Sequence, residues 1–371
     1  MLERADWRLG RDGGTAGLSE GRDSIRGVTH FGSLPPGWAG RVEALAAGDL
    51  EPVPPRPAAT ILLLRDRPDP LERGPEVYMQ RRRSSMEFAA GMYVFPGGSV
   101  DPGDRRWPQA WAGAGPAEWA TILGCEEELA GAVVCAAVRE TFEECGLLLA
   151  APADMGSADA KSGGVMLDGV DSDGAESAKA ETVLVDTSGA EWEDERAALA
   201  GHESTLADML GRRGLVLRAD LLHAWTRWVT PEFEPRRYDT WFFTAALPEL
   251  GSARDVSGEA DLSVWRRPLD LLADYQAGSV DMMPPTLVTL REIALRQDTA
   301  DVLSAAAARV PLPEPLTARL RPRLSESDPI ELIWPVDDPF GAEPFPADEP
   351  TPSGIADTRV GRLAHRASSE P

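Results

Sequence analysis

The sequence predicts an α/β chain, and two observations carry the prediction. Short apolar runs at 58–64, 76–82, 221–229 and 240–246 read as strands. Between them, residues 126–145 place Val134, Val138, Phe142 and Cys145 along one side at helical spacing. With 371 residues and 43% apolar content, the chain has ample material for a core.

In chain order, the polar, Gly/Arg/Asp-rich start up to Gly32 reads as disordered. One short helix is expected at 38–47 before a proline-rich entry to the first strand. The strands at 58–64 and 76–82 form a pair, with a Pro/Gly turn region at 67–75. A short strand at 92–95 leads into the Gly97-Gly98 turn. The helix at 126–145 ends at Gly146, a left-handed cap, and an apolar strand follows at 147–150. Residues 151–205 hold 13 acidic and three basic side chains amid Gly, Ser and Ala, and read as a solvated insertion. Order resumes with a helix at 206–212 and the strands at 221–229 and 240–246. Helices are expected at 268–276, opened by Pro268, and at 287–297, with Pro284-Pro285 between them. The expected organisation is a mostly disordered segment at 1–50, one domain at 51–300, a helical or irregular extension at 301–334 and a disordered tail at 335–371.

Composition excludes several classes of function. A net charge of -24 disfavours nucleic acid and anionic membranes as partners. No apolar run approaches the 18 or so residues of a membrane helix, and the charged start has no signal-peptide core. Cys125, Cys135 and Cys145 form no C-x-x-C pair and leave an odd one, as in a reduced, cytoplasmic protein. The four histidines form no ligand pattern.

The chemistry concentrates in Arg139-Glu140-Thr141-Phe142-Glu143-Glu144-Cys145-Gly146-Leu147. At 100° per residue, Glu140, Glu143 and Glu144 share an arc of roughly 100°. Three like charges repel, Arg139 offsets only part of that, and a hard divalent cation would offset the rest. Taken alone, such a face is an ordinary solvated acidic surface. The string, however, resembles R-E-U-x-E-E-x-G-U, the second half of the Nudix box (U, bulky apolar), with Thr141 at one apolar position. Phe95-Pro96-Gly97-Gly98-Ser99-Val100-Asp101-Pro102-Gly103-Asp104 resembles its first half, G-x5-E, with Asp104 in place of Glu. Thirty-four residues separate Asp104 from Arg139, a split that resembles the coenzyme A diphosphatase-like branch of the Nudix hydrolases. Ala58 to Leu64, Val77 to Arg82, Trp228-Val229-Thr230-Pro231, Arg237 to Phe243 and Met283 to Thr286 also resemble that branch.

The resemblance implies a single α/β/α sandwich with a mixed β-sheet between helices, and a diphosphatase acting on a nucleoside diphosphate-X compound. Coenzyme A or acyl-coenzyme A is the favoured substrate. NADH- or ADP-ribose-type compounds are the alternative, as is a catalytically silent nucleotide-binding module. It further implies Mg²⁺ or Mn²⁺ held by Glu140, Glu143, Glu144 and the Gly98 carbonyl, with Arg139 orienting Glu140 or Glu143. Asp104 would tie its loop to the helix. A further acid is expected as metal ligand or base, with Glu259 the first choice and Glu232 the second. Arg82, Arg237 and Gly97 are the expected substrate contacts. Ala90-Gly91 stands where coenzyme A diphosphatases carry Pro-Gly. Partners would be a small nucleotide and, as in many relatives, a second copy in a homodimer.

Overall fold

From the N-terminus, strand β1 (Thr29–His30) and helix α1 (Trp38–Ala47) precede the main sheet. The next strand, β2 (Arg56–Arg65), carries Ile61, Leu62, Leu63 and Leu64, all fully buried. A strand covered on both faces needs a continuous apolar run rather than alternation, which is why this one was legible. The computed structural model describes residues 29–30, 38–67, 74–83, 89–153, 184–247, 253–254, 256, 258, 260–317, 319–320 and 332–334. All of these lie in the unit Met1–Pro339.

Strands β3 (Glu76–Arg82), β4 (Tyr93–Val94) and β5 (Gly97–Ser99) follow, and then a 3-10 turn at Pro102–Arg105. The residues that split the box form strand β6 (Trp111–Ala112), helix α2 (Pro116–Leu123) and the first turns of helix α3 (Glu127–Cys145). Gly146 ends α3 at φ 64°, its N–H donating to the Phe142 carbonyl at 3.0 Å. Strand β7 is Ala150–Pro152, later than the 147–150 expected; Leu147 to Leu149 are buried in the core just before it, the Leu149 carbonyl accepting from the Arg218 N–H at 3.0 Å.

The expectation of a wholly solvated insertion at 151–205 is corrected. Residues 154–183 lie outside the described set, but helix α4 (Ala190–Ala200) is ordered and buries Trp192 and Leu199. Trp192 meets Phe142 of α3 edge-on, with ring centroids 6.1 Å apart, and carries the Arg213 guanidinium on its face at 4.0 Å. Two well-placed apolar anchors thus hold an otherwise acidic segment to the core. Helix α5 (Leu206–Arg213) is N-capped by Thr205, which accepts from the Asp208 N–H at 3.1 Å.

Strands β8 (Leu215–Arg218), β9 (His223–Val229), β10 (Tyr238–Ala246) and β11 (Ala260–Arg266) lead to helices α6 (Pro268–Ala277), α7 (Pro284–Ala294) and α8 (Thr299–Ala307). The helix expected at 287–297 begins earlier, because proline is at home in a first turn whose N–H groups lack partners anyway. Strands β12 (Arg319–Leu320) and β13 (Leu332–Trp334) close a small sheet with β1. The expected tail at 335–371 lies outside the described residues.

The main sheet runs β11-β3-β2-β10-β9, with β4 added to β3 and β5 to β2. β10 is parallel to β2, from Tyr238 opposite Arg56 to Ala246 opposite Leu64, while the remaining pairs are antiparallel. The sheet is therefore mixed, as expected. Ala59, Ile61 and Leu63 share one core cluster with Val134, Val138 and Phe142 of α3. On β9, Trp225 donates to Glu292 of α7 at 2.9 Å and lies under the Arg309 guanidinium. The register that matters for the site is Ala59 opposite Gly98 and Thr60 opposite Gly97, which brings the glycine turn onto the sheet next to α3.

Candidate active site

Gly97 sits at φ 151°, and a Cβ there would run into the Ala59 carbonyl and stand 2.7 Å from the Thr60 Cα. A Cβ at Gly98 would collide with the Glu140 carboxylate. Only glycine lets β5 pass between β2 and the acidic end of α3. The free Gly97 N–H then donates to Glu144 Oε2 at 3.1 Å.

The carboxylates do not form a solvated face. Glu144 is buried, and the side chains of Glu140 and Glu143 are each 13% exposed. Burial pushes the Glu140 carboxyl up to about 7 against the pull of Arg139, with the Glu143 charge adding to the rise. Burial also raises Glu143, again opposed by Arg139. Thr141 fits its apolar position by turning its hydroxyl back to the Ala137 carbonyl at 2.7 Å.

Arg139 organises the cluster. Its Nε and Nη2 donate to the two oxygens of Asp104, each at 2.9 Å, and Nη2 also reaches the Ser99 carbonyl at 2.9 Å. Nη1 lies 3.0 Å from Glu140 and 3.3 Å from Glu143. Burial works against the Arg139 charge, but the Asp104 hydrogen bonds and the charges of Glu140, Asp104 and Glu143 hold it above its usual value. The forked Arg139–Asp104 pair joins the two halves of the box across the 34 intervening residues. Asp104 suffices in place of Glu because its turn comes close: Asp104 is 2% exposed and also accepts from the Asp101 N–H at 2.8 Å.

Four carboxylates (Asp101, Asp104, Glu140 and Glu143) thus surround one guanidinium, and a fifth, Glu144, accepts from the adjoining Gly97 N–H. Their surplus negative charge and hard oxygen donors fit a divalent cation. Among the described residues, no three His, Cys, Asp or Glu side chains converge on a single ligand point. The reason is visible: Arg139 Nη1 reaches both Glu140 and Glu143, and Glu144 turns to the Gly97 N–H.

Other expected site residues lie elsewhere. Arg82 ends β3 opposite Ala260. The Arg237 guanidinium donates to the Thr230 carbonyl at 3.1 Å and the Val53 carbonyl at 2.8 Å, at the start of β10. Glu259 lies outside the described residues, and Glu232 is exposed on the turn between β9 and β10. Two residues escaped the sequence reading. Asp101 Oδ2 stands 3.9 Å from Arg139 Nη1, and His202 Nδ1 stands 2.9 Å from that same carboxylate. Asp101 could have been found from its place in the glycine turn. His202 gave no local signal, being brought in by the helix pair that flanks it.

A model of the family described as the NUDT19 Nudix domain matches residues 124–293. The chain is 23% identical over 243 residues to an acyl-coenzyme A diphosphatase NUDT19 from Xenopus laevis, covering 59% of each chain. It is 26% identical over 255 residues to the Homo sapiens protein of that name, covering 62% of each. The chain thus spans about six tenths of the length of these curated relatives. Among solved structures, a NUDIX hydrolase from Alicyclobacillus acidocaldarius matches at 28% identity and a TM-score of 0.50, covering 68% of this chain and 96% of that one. Box residues, mixed-sheet topology and these likenesses agree, and the chain is similar to the Nudix hydrolases, most of all to their coenzyme A diphosphatase-like branch.

Proposed function

We propose that this chain is a hydrolase that cleaves the diphosphate bond of a nucleoside diphosphate-X compound, with coenzyme A or acyl-coenzyme A as substrate and Mg²⁺ or Mn²⁺ as cofactor. The observation that carries the reading is the buried acidic cluster, in which one guanidinium is shared among four carboxylates beside a turn that only glycine can make. The names of the relatives from Xenopus laevis and Homo sapiens support the substrate class.

Glu140, Glu143 and Glu144, with the Gly98 carbonyl, would hold the metal. When bound, the metal supplies charge neutralisation at the diphosphate and lowers the pKa of a coordinated water. Arg139 fixes where Glu140 and Glu143 sit, and Asp104 fixes Arg139. Gly97 allows the backbone to approach a phosphate closely. Glu143, Glu144 and Glu259 are the acids to which we assign the handling of the water proton. The water oxygen joins one phosphorus, the bridging P–O bond breaks, and the bridging oxygen leaves with the other phosphate. On coenzyme A the products are 3′-phospho-AMP and phosphopantetheine. Cys125, Cys135 and Cys145 form no disulfide, which supports a reducing compartment that we take to be the cytoplasm. A homodimer is implied by the resemblance alone.

The test is product analysis with Mg²⁺ or Mn²⁺ across coenzyme A, acyl-coenzyme A, NADH, ADP-ribose and diadenosine polyphosphates. Coenzyme A or its acyl esters should have the highest kcat/KM, and Glu143→Gln or Glu144→Gln should lower it by about 100-fold or more. Full activity in either variant overturns the mechanism, and no turnover of any compound leaves a binding module in its place.

A further inference from the structure

Arginines across this fold pair with carboxylates. Arg65 pairs with Glu76, Arg81 with Asp261, Arg218 with Asp220 and Arg309 with Glu292. Another group of arginines gathers where β2 and β10 begin. There, Arg56, Arg236, Arg237 and Tyr238, with Pro54 and Pro235, line a cavity of about 300 Å³. Arg237 gives its hydrogen bonds to two neutral carbonyls, those of Thr230 and Val53, which fix its position, and among the described residues no carboxylate pairs with it. The nearest acid in sequence, Asp239, is held by Arg227 through both oxygens, at 2.8 and 2.7 Å.

Three arginines lining one small cavity are notable in a chain whose net charge is -24. The long-range field of the molecule repels anions, so an anion bound here has to be gripped by short-range, geometrically specific contacts. Guanidinium forks suit phosphate oxygens in that way. The tyrosine and proline walls favour a phosphate carried on an organic group. The cavity also bears a defined relation to the acidic cluster. Arg56 lies on β2 three residues before Ala59, which faces Gly98, a separation of about 10 Å along a strand. That falls within the length of a nucleotide carrying a phosphate on its ribose.

We propose that this cavity binds a phosphate group, either a second phosphate on the nucleotide substrate or free phosphate. Only the first source rests on the hydrolase reading above. The test is calorimetric binding to the full chain without divalent metal, so that a failure of catalysis cannot be mistaken for a failure of this site. The probes are AMP, adenosine 3′,5′-bisphosphate and inorganic phosphate, and the variants are Arg56→Gln and Arg56→Gln/Arg236→Gln. Their folding is checked by circular dichroism. If the double variant does not fold, Arg56→Gln alone carries the comparison, its side chain being exposed.

The expected result is that the bisphosphate binds about tenfold tighter than AMP to the native chain, and that the double variant loses most of this advantage with AMP affinity unchanged. Saturable binding of inorganic phosphate that the variants abolish, with no advantage for the bisphosphate, supports the cavity with free phosphate as its occupant. Equal binding of every probe by native and variant chains overturns the proposal.

Discussion

Arg139 faces Asp104 with both side chains almost fully buried, at 6% and 1% exposure. A buried charge that loses its partner stays in a low-dielectric site without compensation, at a cost of about 3–5 kcal/mol. Lysine keeps the charge of Arg139 but cannot fork to Asp104 while also reaching Glu140 and Glu143. Arg139→Lys is therefore expected to lower the unfolding free energy by about 3 kcal/mol, read from urea denaturation; a loss under about 1 kcal/mol means that the fork does not join the box halves. Glu140 gives a second test. Burial raises its carboxyl from 4.5 to about 7, so the folded state binds this proton more readily than the unfolded one. The stability this contributes is full below pH 4.5 and is lost as pH rises through about 7. In metal-free buffer, Glu140→Gln should gain stability relative to the native chain over that window, approaching about 3 kcal/mol by pH 8. A difference that stays flat with pH removes the buried-carboxylate account. At this scale the sequence revealed the identity of the acids but not their burial, because helical spacing reports which residues share a face and not what covers it.

Elements were legible where one physical requirement dominated. The unbroken Ile61 to Leu64 run suits a strand buried on both faces, and Gly146 ends α3 as a left-handed cap should. Helix α4 was missed because its stability does not come from its own pattern: it carries acids around most of its surface and buries only Trp192 and Leu199. Likewise α2 was hidden inside the split box, where the eye follows the motif rather than the residues between its halves. The consequence is a sharp expectation for α4. Trp192 is 6% exposed, packs on Phe142 and supports Arg213. Trp192→Ala should destabilise the protein by about 3–5 kcal/mol, measured by thermal or urea unfolding. A solvated insertion predicts no change, so a shift under about 0.5 kcal/mol returns 190–200 to that status.

For the whole molecule, the net charge of -24 and the cationic cavity pull a phosphate-bearing substrate in opposite directions. The two effects differ in range. Repulsion by the summed charge acts over the Debye length, about 30 Å at 10 mM salt and about 8 Å at 150 mM. Arginine forks and carboxylate-held cations act at contact, where screening is weaker. Raising salt should therefore remove the repulsion before it weakens the grip. At fixed, saturating divalent metal, KM for the nucleotide substrate is expected to fall about two- to fivefold between 10 and 150 mM NaCl, with kcat nearly constant. A protein that captures anions through a broad basic surface shows the opposite trend, with affinity lost steadily as salt displaces bound phosphate. A KM that rises over this range places the attraction in an extended cationic surface, contrary to the reading of a few arginines and a metal working inside an acidic molecule.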